Sequence, residues 1–122
     1  MILADTSIWV EYFRSGLGEM HNQLTRRNIL MHPVIAAELA LGSLRDRTRT
    51  LAFLDFLPQA RVAQLSEVRQ MVEARTLYSQ GIGLTDAHLI ASIFLNPPAL
   101  LWTRDKRLRG IAEALGIHAH LP

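Results

Sequence analysis

Short apolar runs alternate with longer segments of helical periodicity from one end of the chain to the other. Ile2 to Asp5 reads as a first strand, brief and apolar in the manner of strands buried on both faces. Thr6 or Ser7 caps a helix running to about Arg14, and a second helix covers Leu17 to Arg27. Asn28 to His32 (NILMH) is a strand stopped by Pro33, which suits the first position of a helix lasting to about Leu44. Arg47 to Leu57 is helical as far as Pro58, and Ala60 to Ala63 forms a short strand. A helix over Ser66 to Tyr78 ends before Gly81, and Thr85 caps another from Asp86 to about Leu95. Ala99 to Thr103 (ALLWT) is a strand, Arg104 to Leu115 a charged helix ended by Gly116, and Ile117 to His120 a last strand.

This alternation predicts an α/β fold, a three-layer sandwich with a mostly parallel central sheet. In such sheets, sites form beyond the carboxyl ends of strands, where the strand order reverses. Asp5 closes the first predicted strand and Asp105 sits just past the strand ending at Thr103, so both point to that edge.

Length and composition narrow the picture further. The 122 residues fit one domain, residues 1–122, and 49% apolar content is enough for a core. There is no cysteine, which removes disulfides, thiol nucleophiles and zinc–thiolate sites together and suits a cytoplasmic protein. Asp5 interrupts the apolar start too early for a signal peptide, and Asn96-Pro97-Pro98 breaks the longest uncharged stretch, so no membrane span is expected.

Three acids stand alone in apolar surroundings. Asp5 is the only charged side chain among the first ten residues, and Glu38 is the only one from Pro33 to Leu44. Asp86 is the only formal charge between Arg75 and Arg104. The helix around Glu38 is apolar on nearly every face and is expected to be buried. A carboxylate there is costly unless paired, hydrogen-bonded or bound to a cation. Taken singly, Asp5 is as well explained as a cap, Glu38 as the partner of an arginine, and Asp86 as a residue of a capping turn. Together they suggest convergence on one cation. Asp105, in WTRDKRLR, is a fourth candidate, and Thr103 is placed to donate a hydrogen bond to a site carboxylate. Carboxylates without other ligands suit Mg²⁺ or Mn²⁺, and such a cluster positions a water and stabilises the charge of a phosphodiester under hydrolysis.

The basic residues fit an anionic substrate. If four of the 11 acids turn inward, seven face 13 Lys+Arg and the outer surface is near +6 rather than +2. Arg45, Arg47 and Arg49 form one cluster, and Arg104, Lys106, Arg107 and Arg109 another. Each is either a solvated helix face or a set of phosphate-backbone contacts to nucleic acid. His118 and His120 read as a structural pair, His88 as a satisfied core histidine, and Trp9, Tyr12 and Phe13 as core. LAFLDFL (Leu51 to Leu57) is either core or a subunit contact.

ILADTSIW, VIAAELALGSL, GIGLTDAHLIAS and LLWTRDKRL, in that order and spanning nearly the whole chain, resemble the PIN-domain ribonucleases, in particular the VapC-type toxins of toxin–antitoxin pairs. The resemblance implies a PIN-like, Rossmann-like sandwich and endonucleolytic cleavage of RNA that depends on Mg²⁺ or Mn²⁺. It matches Asp5, Glu38, Asp86 and Asp105 to the family's catalytic and metal-binding acids, and Ser7 and Thr103 to its supporting polar positions. It further implies a homodimer and a VapB-type antitoxin lying across the acidic site. The competing reading is a Mg²⁺-binding, receiver-like signalling module. Thr6 and Ser7, where a receiver has an adjacent acid, count against it.

Overall fold

The computed structural model describes all residues, 1–122. Three parallel strands, β1 (Ile2–Ala4), β2 (Ile29–Leu30) and β3 (Leu100–Trp102), form a sheet in the order β2-β1-β3. Ile2 and Leu3 pair with Ile29 and Leu30 on one side, and Ile2 to Ala4 pair with Leu100 to Trp102 on the other. The predicted strands near residue 60 and residue 118 are each reduced to one bridge, Met31 with Gln59 and Leu101 with His118. Each makes only two backbone hydrogen bonds to its neighbour, so the ladder runs for a single residue.

Seven helices surround the sheet: α1 (Thr6–Ser15), α2 (Gly18–Thr25), α3 (Pro33–Leu41), α4 (Arg47–Phe56), α5 (Leu65–Ala74), α6 (Leu84–Leu95) and α7 (Lys106–Ala114). All of β1 is buried, as a central strand between two helical layers requires. Trp9, Trp102, Ile8 and Leu89 are among the side chains sealed in the core around it. Ala63, Ala87 and Ala91 gather with Val68 in a smaller cluster, where short side chains let α5 lie close on α6. No helix is long and apolar enough to cross a membrane.

Several boundaries move for local reasons. Asp5, not Thr6 or Ser7, caps α1, and Asp105 caps α7, so that helix begins at Lys106 rather than Arg104. The Gly83 carbonyl accepts the Ala87 N–H, so α6 starts at Leu84 and Thr85 is no cap. A capping box of Gln64 with Glu67 sets the start of α5, which stops at Ala74 instead of Tyr78. The helix carrying Glu38 is not buried all round: only Ile35 and Leu39 are buried, and Leu41 is 89% exposed. In LAFLDFL, Leu54 enters the core, whereas Phe56 is 89% exposed.

His32 caps α3 through Nδ1, which accepts the Val34 N–H at 3.0 Å. Its ring is sealed from solvent, and burial, helped by the nearby His88 ring, lowers its pKa to about 4. The unfolded chain therefore takes up a proton on this residue before the folded one does. Stability is fully present above about pH 6.5 and is lost as pH falls toward 4, by roughly 2–3 kcal/mol. Asparagine retains a cap acceptor without titrating there. His32→Asn should lower stability at neutral pH through lost packing but flatten the decline from pH 6.5 to 4. Urea melts across that range decide it; an unchanged slope would remove His32 as the cause.

Candidate active site

The strand order reverses about β1, which has β2 on one flank and β3 on the other. Asp5 stands at the carboxyl end of that strand, at the switch point. It is 7% exposed, and every atom of its carboxylate has work in the fold. Oδ1 accepts the Ile8 N–H at 3.1 Å and the Ser7 hydroxyl at 2.7 Å. Oδ2 accepts the Thr103 hydroxyl, reaching across from the end of β3. Asp5 is thus a helix cap and a residue of the central cleft at once.

Thr103 links two acids, because its Oγ1 also accepts the Asp105 N–H at 3.1 Å. Asp105 in turn caps α7, its Oδ1 accepting the Leu108 N–H at 2.9 Å. Glu38 comes from α3, and its Oε1 accepts the Thr6 hydroxyl at 2.6 Å. Thr6 was not singled out by sequence reasoning; a hydroxyl beside a lone acid was its only signal. Asp86 lies in the first turn of α6. Burial pushes its carboxyl above the usual carboxylate range, opposed by a hydrogen bond with the Gly83 backbone. The negative charges of Asp105, Asp5 and Glu38 add to the upward push. Each of the other three acids is therefore close enough to act on Asp86.

The four acids are not equally enclosed. Asp5 is buried, Glu38 and Asp86 are half-buried, and Asp105 is exposed, so the inward-turned quartet expected from sequence is a cleft wall open on one side. No three of the chain's acidic or histidine side chains close into a ready-made metal cage. The donor set is nevertheless hard oxygen, and Asp5 and Glu38 are fixed by hydroxyls. That arrangement fits a divalent cation that retains several of its own waters, as Mg²⁺ does.

Like charges around a half-buried carboxylate oppose folding at neutral pH. Asp86→Asn should therefore raise the melting temperature at pH 7, and the gain should shrink as pH falls far enough to protonate the wild-type carboxyl. The sign follows from a raised carboxylate pKa, which makes the folded state more stable at low pH than at high pH. Thermal melts at pH 7 and pH 4 check it; a lower melting temperature at pH 7 would contradict it.

Of the seven basic residues singled out, four are tied within the protein. Arg47 donates to the Ala40 and Gly42 carbonyls, and Arg104 to the Pro122 carbonyl. Arg49 pairs with Asp46 at 3.5 Å, and Arg109 with Glu113 at 2.9 Å. Arg45, Lys106 and Arg107 have no such partner. Arg107 lies flat on Gly81, where a Cβ would stand 2.7 Å from its Nη1. Gly81 is free to adopt φ +78° and leaves that space open.

His118 is buried and its Nδ1 accepts the His120 N–H at 3.0 Å. Its Nε2, like the Nδ1 of half-buried His88, has no hydrogen-bond partner, so neither ring is fully satisfied. Trp9 is core, with Tyr12 and Phe13 packed partly buried against it.

A parallel sheet with acids gathered at its switch point defines the class, and the PIN domain family model matches residues 2–114: the chain belongs to the PIN-domain family. Membership in it points to a divalent cation. Ribonuclease VapC32 of Mycobacterium tuberculosis, from strain CDC 1551 / Oshkosh and from strain ATCC 25618 / H37Rv, is a relative. Each is 39% identical over 117 residues, which cover 96% of this chain and 94% of the relative.

Proposed function

We propose that this chain is the toxin of a type II toxin–antitoxin pair, a metal-dependent endoribonuclease whose site is Asp5, Glu38, Asp86 and Asp105. The observation that carries the reading is that acids from four separate elements gather at the switch point of a parallel sheet, where burial first, and then the charges of Asp105, Asp5 and Glu38, push the Asp86 carboxyl upward. A fold accepts that cost where a cation is to be bound. The receiver-like alternative is not favoured, since the relatives are named ribonucleases over nearly their full length.

Asp5, Glu38 and Asp86 hold the cation, Mg²⁺ or Mn²⁺, directly or through its waters, and Asp105 completes the acidic wall. When bound, the cation supplies an activated water and offsets the charge of the phosphodiester. The residues of this chain do the rest. Ser7 and Thr103 donate their hydroxyl hydrogens to Asp5 and hold its carboxylate in one orientation. The Thr6 hydroxyl orients Glu38 in the same way. Burial and the neighbouring acids push the half-buried Asp86 carboxyl upward, and the cation it helps to hold would favour its ionised form. Arg45, Lys106 and Arg107, uncommitted elsewhere, steady the flanking phosphates.

Residues 1–122 work as one PIN unit in the cytoplasm, as a homodimer whose contact includes the exposed Phe56 face of α4. A VapB-type antitoxin covers the acids with a basic segment, an electrostatically matched inhibitor. The test is the chemistry of the cut ends. Water attack leaves a 5′-phosphate and a 3′-hydroxyl, whereas a 2′,3′-cyclic phosphate would exclude this mechanism.

A further inference from the structure

A cavity of about 660 Å³ opens between α1, α3 and the start of α4, and Glu38 lies in its lining. It therefore shares a wall with the acidic cleft. We propose that this cavity seats one nucleotide of a single-stranded RNA next to the bond being cut, and so sets the base preference of cleavage. The inference rests on the nuclease reading and adds to it the site that chooses the sequence.

The lining has two characters. Val10, Phe13, Leu39 and Leu44 form apolar walls, and Arg14 and Arg45 also line the cavity. Arg45 has no carboxylate partner, and Arg14 reaches only Glu11, at 3.1 Å, with its side chain 73% exposed. Cations beside four acids are expected to turn toward those acids. Here they remain available to a ligand that carries both an apolar face and a negative charge. A nucleotide has both: a base to lie against Phe13 and the leucines, and a phosphate for the arginines. A basic peptide strand would instead meet two like charges.

The cavity is built in advance. Arg47 donates to the Ala40 carbonyl at 2.6 Å and to the Gly42 carbonyl at 3.3 Å, and Thr50 donates to the Arg45 carbonyl at 2.9 Å. These bonds pin the loop from 42 to 46 that forms one wall. Phe13 is held by the rings of Trp9 and Tyr12, each with its centroid 5.6 Å away. Its volume is within the range of preformed small-ligand pockets.

Two measurements on the full chain test it. In the first, amide NMR spectra are recorded with AMP, GMP, CMP or UMP at about 10 mM, where weak mononucleotide binding is visible. In the second, cut sites in a random RNA library are sequenced for wild type, Leu44→Trp, which fills the cavity, and the exposed-site variant Arg45→Ala. The expected result is perturbation of Gly42 to Arg45 and Thr50, stronger for one base, and lost in Leu44→Trp. Base preference at one position beside the cut should fall about tenfold in Leu44→Trp, with KM raised in both variants. Silence of these amides to all four nucleotides, or base preference unchanged in both variants, overturns the proposal. Perturbation by a basic peptide and by no nucleotide also overturns it and assigns the groove to a protein partner. Nucleotide perturbation in a chain that cuts no RNA would leave the pocket standing and remove the nuclease reading.

Discussion

Asp5→Asn should abolish RNA cleavage, lowering the rate by at least about 10³-fold, while leaving the fold in place. A loss of that size is about 4 kcal/mol of transition-state stabilisation. The fold survives because asparagine is as good a helix cap as aspartate, so the bond from the Ile8 N–H is kept. The hydroxyls of Ser7 and Thr103 rotate to suit an amide, since each both donates and accepts. What disappears is the negative charge at the deepest point of the cleft. Cleavage assays beside thermal melts separate the two roles. A folded variant that cuts RNA at the wild-type rate would remove Asp5 from the centre of the site.

Thr103→Val should be the next most damaging, by a different route. Valine has the shape of threonine but neither donates to Asp5 Oδ2 nor accepts the Asp105 N–H. One substitution thus loosens two of the four acids, and it leaves polar groups at the end of β3 unpaired. Groups that orient metal ligands are worth about 10–100-fold in activity or metal affinity. A buried acceptor left without its partner costs about 1–3 kcal/mol of stability. Thr103→Ser, which keeps the hydroxyl, should recover most of the activity. If valine is harmless and serine is no better, Thr103 is a packing residue only.

How far these roles can be read along the chain depends on how local they are. The strands β1 and β3 are legible because an unbroken apolar run is what burial on both faces demands. Asp5 is legible for the same reason, as an abrupt charge at the end of such a run; Asp105 had only its place just past one, since Arg104, Lys106 and Arg107 surround it. Glu38 stood out as the lone charge of an apolar helix, although that helix proves half-exposed and its bare Leu41 is an apolar surface rather than core. The expected strands near residues 60 and 118 had apolar character, yet pairing across the sheet lasts one residue at each. The Thr6–Glu38 and Thr103–Asp5 bonds join residues 32 and 98 apart, and no local pattern encodes such a meeting. The basic clusters looked alike in sequence. Only tertiary structure separates Arg47, which closes the end of α3, from Arg45, which faces an open cavity.

The central claim is that these acids hold a cation with which the chain hydrolyses RNA. The most direct measurement is cleavage of labelled single-stranded RNA by the purified wild type with Mg²⁺, with Mn²⁺, or with EDTA. Discrete cuts that require either cation, vanish with EDTA and return when the cation is restored are the predicted result. Cutting that persists undiminished in EDTA would contradict the account.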